Sequence, residues 1–121
     1  MRGLTIVVTT ADAERLRGAL VLAAAQAALG GAAAIFLQLD AVALLKAPLA
    51  APRDTDHRAA GLPDLAILLA DSLALGVAIS ACQSGLALSG MSAAELPDGV
   101  SVGGPIGFLQ KMDDETRLLM A

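Results

Sequence analysis

The sequence predicts a single-domain α/β protein built on an open, mostly parallel sheet of about five strands with helices on both faces. Three observations predict it. Short apolar or β-branched runs (Leu4 to Val8, Ala33 to Leu37, Gly76 to Ala81, Val100 to Val102) alternate with segments of helical periodicity. Glycine, proline and small polar residues punctuate almost every change from one to the other. The chain has 121 residues, enough for one hydrophobic core and one domain spanning 1–121.

Leu4 to Val8 is the first strand. Thr9-Thr10 follows, and Asp12 and Glu14 then fall in a helix first turn for which Thr10 is the candidate cap. Leu16, Ala19, Leu20, Ala23 and Ala27 recur at helical spacing, Arg15 and Arg17 lie off that stripe, and Gly30-Gly31 ends the helix. Ala33 to Leu37 is too short and too apolar for a surface helix and reads as a buried parallel strand, so the first third is βαβ. From Pro48 to Pro63 the composition changes, with the charged stretch Arg53-Asp54-Thr55-Asp56-His57-Arg58 at its centre, and a mobile loop over 48–62 is expected.

Pro63-Asp64 opens a second helix with an apolar face of Leu65, Leu68, Leu69 and Leu73, and Gly76 closes it before the strand that leads to Cys82. Leu86 to Leu88 continue a short helix. Gly90 marks a turn, Ser92 to Leu96 a small helical segment, and Pro97-Asp98-Gly99 a further turn. Val100-Ser101-Val102 is the next strand, Gly103-Gly104-Pro105 the next turn and Ile106 to Met112 the next helix. The tail, Arg117 to Ala121, admits a helix or a final edge strand, and the strand is favoured.

Composition narrows the function classes. The chain is 56% hydrophobic and 2% aromatic, with only Phe36 and Phe108, so the core rests on Ala, Leu, Val and Ile. Apolar residues in excess of what so small a domain buries point to subunit interfaces and a homo-oligomer. A net charge of −4 with no basic patch argues against nucleic acid. One cysteine excludes an intrachain disulfide, and one histidine beside it leaves no zinc cluster, which suits a reducing cytoplasm. The segment Met1 to Thr5 runs into a strand without an apolar signal core, so no signal peptide is expected. Ala19 to Leu37 has the length of a membrane span, about 19 residues. Its alanines and the interruptions at Gln26, Gly30 and Gly31 divide it into a helix and a strand, and no membrane association is expected.

In a parallel sheet, function gathers where the carboxyl ends of the strands open into loops. Three junctions are expected to meet there: Thr9-Thr10, Ala81-Cys82-Gln83 and Gly103-Gly104-Pro105. Cys82 has two readings. It is either a small buried hydrophobe or a thiolate favoured by the free amides of the helix that follows, since Gln83, Ser84 and Gly85 make a small, polar helix start. A peroxidase would need a second thiol to resolve its sulfenic acid, and this chain has none, whereas persulfide transfer needs one thiol per carrier. Gly103-Gly104-Pro105 is a tight turn or a place where backbone amides approach an anion. Thr9-Thr10-Ala11-Asp12 stands where a dinucleotide fingerprint would, so a nicotinamide enzyme is not expected. His57 reads as a solvated surface histidine, or as part of a loop folding over Cys82. Ser84 and Ser89 have no identifiable base.

The stretch Ile79-Ser80-Ala81-Cys82-Gln83-Ser84-Gly85-Leu86-Ala87-Leu88-Ser89-Gly90-Met91, continued by Glu95 to Val100 and Val102-Gly103-Gly104-Pro105, resembles the DsrE/DsrF/DrsH-like proteins. The order of parts along nearly the whole chain is similar too. The resemblance implies a compact α/β sheet domain, trimers or hexamers, and sulfur-relay work in which Cys82, at the position of the family's sulfur-carrying cysteine, bears a persulfide. The expected function is therefore a cytoplasmic persulfide carrier or sulfurtransferase. It would need no cofactor and no metal, and would exchange sulfane sulfur with rhodanese-like or TusA-like partners. The amides of Gln83 and Ser84 would stabilise the anion, with Thr10, Gly103 and Gly104 lining the approach. The competing expectation is a non-catalytic subunit of an oligomeric complex that binds a small anion or a partner, with Cys82 inert.

Overall fold

The computed structural model describes residues 1–121. Five strands form one sheet: β1 (Gly3–Val8), β2 (Ala33–Leu37), β3 (Ala78–Cys82), β4 (Ser101–Gly103) and β5 (Thr116–Met120). Their spatial order is β4-β3-β2-β1-β5, and every neighbouring pair is parallel. The helices are α1 (Ala13–Ala28), α2 (Asp54–Ala59), α3 (Leu65–Ala74), α4 (Gln83–Leu88) and α5 (Pro105–Gln110), with 3₁₀ turns at Leu39–Leu45 and Ala93–Glu95.

Side chains alternate across a strand, so register assigns each residue a face. Leu4, Ile6 and Val8 align with Ala33, Ile35 and Leu37, and the last two with Ile79 and Ala81. All of these are buried, and α1 packs on this face beside α3. The opposite face carries Thr5, Ala34, Phe36, Ala78 and Ser80. There the connection from β4 to β5 crosses the sheet from one edge to the other, and Phe108 of α5 stacks on Phe36 with ring centroids 4.5 Å apart. One six-residue helix covers little of a five-stranded face, so this side stays partly open.

The boundaries follow local chemistry. Asp64 caps α3 through Ile67 N–H, and Gly30 and Gly76 leave their helices at φ of 88° and 96°, where a side chain would be strained. The tail is an edge strand, paired only with β1.

Three expectations are corrected. Thr10 is not the cap of α1. Asp12 is, its Oδ1 accepting from Glu14 N–H at 2.9 Å and Arg15 N–H at 3.3 Å, because it stands next to the first helical residue while Thr10 is exposed in the bend before it. The segment 48–62 is not simply a loop: it contains α2, whose first residue, Asp54, is buried. Asp54 accepts hydrogen bonds from Arg17 at 2.8 Å, Ala51 N–H at 2.9 Å and Leu65 N–H at 3.0 Å. Arg17, only 4% exposed, also reaches Glu14 and the Pro63 carbonyl, so one guanidinium on α1 ties down both the start of α2 and the residue that follows the segment. His57 is neither fully solvated nor over Cys82. Its Nε2 lies 3.1 Å from Glu14 Oε2, on the same ion-pair cluster.

Candidate functional site

Cys82 is the last residue of β3 and the N-cap of α4, with φ −77° and ψ 147°. A cap side chain reaches the second or third amide of its helix. Here Gly85 N–H donates to Cys82 Sγ at 3.1 Å. A second donor comes from a distant part of the chain, Leu39 N–H, also at 3.1 Å. The sulfur therefore accepts two backbone hydrogen bonds, from the helix it caps and from the neighbouring strand's exit.

Leu39 makes its bond through an unusual backbone. Gln38 N–H continues the sheet ladder to Val8 O at 2.9 Å, and Leu39 then turns into the 3₁₀ segment at φ 53°, the left-handed region that a leucine seldom occupies. Gly85 makes the approach possible. A Cβ there would fall onto the Val42 side chain and 2.5 Å from the Leu39 carbonyl oxygen. The glycine lets α4 and the 3₁₀ segment sit close enough for both amides to converge. The residue they surround is 3% exposed and belongs to the main hydrophobic cluster.

The expected site residues divide. Gly103 is the register partner of Cys82, and Gly104 follows as the N-cap of α5, so both stand beside the cysteine's strand end. Gln83 and Ser84 are the exposed first residues of α4, but their amides do not donate to Sγ: a cap reaches the second or third amide of its helix, and here the sulfur takes the third, that of Gly85. Thr10 follows β1, which β2 separates from β3, placing it roughly 10 Å across the sheet at ordinary strand spacing. The two residues that do contact the sulfur were not singled out as binding residues. The Cys82-x-x-Gly85 spacing is a capping signal visible in sequence, whereas nothing in the local sequence announces Leu39. No three or more His, Cys, Asp or Glu side chains are grouped so as to hold a metal ion.

Fold and site together define the class: a small all-parallel α/β domain with an amide-capped cysteine at the carboxyl end of a central strand. The DsrE/DsrF-like family model matches residues 2–120, and the chain belongs to that family. Among solved structures, the crystal structure of the YchN protein from E. coli is similar over 100% of both chains, with a TM-score of 0.76 and 23% identity, a likeness of fold. No curated protein matches. No helix is long and apolar enough to cross a membrane.

Proposed function

We propose that this protein is a cytoplasmic sulfur carrier that holds sulfane sulfur as a persulfide on Cys82. The observation that supports the reading best is the pair of backbone amides, Leu39 and Gly85, aimed at Sγ. Donors directed at a sulfur favour the anionic nucleophile that persulfide exchange requires. The Cys82 thiolate attacks the outer sulfur of a donor persulfide. A Cys82 S–S bond forms, the donor's S–S bond breaks, and the donor leaves as its thiolate. An acceptor thiolate then repeats the step on the outer sulfur, with no net oxidation and no cofactor. Family membership supports rhodanese-like or TusA-like proteins as donor and acceptor, with Gly103 and Gly104 lining the approach beside the cysteine's strand and the exposed Gln83 and Ser84 meeting the partner. Thr10, two strands away, would contact a docked partner rather than the sulfur. Exposed apolar residues on α5 and β5, among them Ile106 and Met120, support a homo-oligomer, and family membership supports a trimer or hexamer.

One observation favours a second reading. Cys82 is buried in the core cluster, as an inert cap in a partner-binding subunit would be. Intact-mass spectrometry after brief exposure of the reduced protein to polysulfide separates the two. One added sulfur atom on the wild type and none on Cys82→Ser is the carrier's result. No addition, with a thiol that alkylates only after denaturation, makes Cys82 a packing residue.

A further inference from the structure

Between α5 and the open sheet face lies a cavity of about 620 Å³, within the size range of pockets that enclose small organic molecules. Its floor is flat and made of small side chains. Register sets Thr5, Ala34 and Ala78 side by side in one row, with Phe36 and Ser80 in the next. Gly107 and Phe108 of α5 lie on the roof side, and the half-buried Phe108, stacked over the buried Phe36, forms a wall. Gly107 is exposed, and a Cβ there would meet no atom within 4 Å.

Thr5 is the second observation. It is 6% exposed and flanked by Leu4, Ile6 and Val7, yet its hydroxyl makes no hydrogen bond within the protein. No side-chain polar atom is sealed in without a partner, so this hydroxyl opens into the cavity that Thr5 lines. A valine would fill the same position in the strand without a polar group to desolvate. The Ser80 hydroxyl, also on the floor, is likewise unpaired within the protein. At the mouth Lys111 stands with Asp113 and Glu115, a mixture of charges that selects for neither sign of ion.

We propose that this cavity is a binding site for an uncharged, planar heteroaromatic molecule of about two fused rings. The ring lies flat over Ala34 and Ala78, meets Phe108 at its edge and directs its polar edge to the hydroxyls of Thr5 and Ser80. Small residues on the floor admit a flat ring, and the aromatic wall supplies the preferred offset or edge contact. Cys82 does not line the cavity, but Gly103 and Gly104 beside it do, so the cavity adjoins the sulfur site along that edge without including the cysteine.

Indole is a suitable probe, titrated into the whole protein and followed by methyl NMR of alanine and threonine, with Thr5→Val and Gly107→Leu alongside. Saturable shifts centred on Thr5, Ala34 and Ala78 are expected in the wild type. Thr5→Val weakens binding about tenfold, the loss of roughly one buried hydrogen bond. Gly107→Leu places a large side chain among the lining residues and weakens binding, and it stays folded because leucine is the better helix former. Absence of saturable shifts, shifts elsewhere, or equal binding by both variants overturns the proposal. So does a smaller assembly for Gly107→Leu by light scattering with indole binding absent from the wild type, which would make a second copy of the chain the occupant of this face.

Discussion

Gly85→Ala tests the reasoning that joins packing to the cysteine. The added methyl falls 2.5 Å from the Leu39 carbonyl oxygen and onto Val42, both in the 3₁₀ segment packed against α4. Comfortable contact begins near 3.5 Å, so the Leu39 peptide must retreat by about 1 Å. The same residue donates its amide, in the adjoining peptide unit, to Cys82 Sγ at 3.1 Å, and a retreat of the 3₁₀ segment lengthens and weakens that bond. Overpacking of this kind costs about 1–3 kcal/mol. It opposes the gain of up to about 1 kcal/mol that alanine brings to a helix, so the net expectation is a loss of about 1–2 kcal/mol. Urea unfolding should show a midpoint lower by roughly 0.5–1 M, given ordinary slopes for small domains. Hydrogen exchange should accelerate at the Leu39 amide, whose acceptor is the sulfur, more than at the strand amides of β1 and β2. An unchanged or raised midpoint with an unchanged Leu39 exchange rate would refute the account of how these two segments hold the sulfur.

Two further predictions concern the anchor of the 48–62 segment. The Asp54 carboxyl is held at about 2, below the ordinary 3.8, by hydrogen bonds from Ala51 N–H, Arg17 and Leu65 N–H that outweigh the opposing effect of burial. The unfolded chain therefore takes up this proton first, and the stabilisation is complete above about pH 4 and lost as pH falls toward 2. Urea midpoints across that window should fall steeply for the wild type and more gently for Asp54→Asn; parallel profiles would contradict the assignment. Arg17→Met leaves the Asp54 carboxylate buried without its cation and should cost about 3–5 kcal/mol, whereas Arg17→Met combined with Asp54→Asn removes the unpaired charge, keeps an acceptor oxygen for one of the Ala51 and Leu65 amides, and should recover part of it. A double variant as unstable as the sum of the two single losses would show that the ion pair is not the coupling between α1 and this segment.

The sequence by itself determined the types of most elements, α2 excepted. Alternation of short apolar runs with 3.6-residue periodicity is local information, written in Leu4–Val8, in the Leu16-to-Ala27 stripe and in the Leu65, Leu69 and Leu73 face, and glycine at Gly30 and Gly76 marks helix ends by a steric rule that needs no neighbours. It also placed Cys82 at a strand-to-helix junction. Tertiary structure decided what surrounds it. Asp54 reads as one more charge in a polar stretch because the arginine that buries it lies 37 residues away on α1. Thr10 reads as near the site because strand ends share an edge in parallel sheets, but sheet order put β2 between it and the cysteine. The Leu39 amide is the extreme case. Every residue has an N–H, so a backbone donor leaves no mark in the sequence, and only the packing of Gly85 against the 3₁₀ segment directs this one to the sulfur.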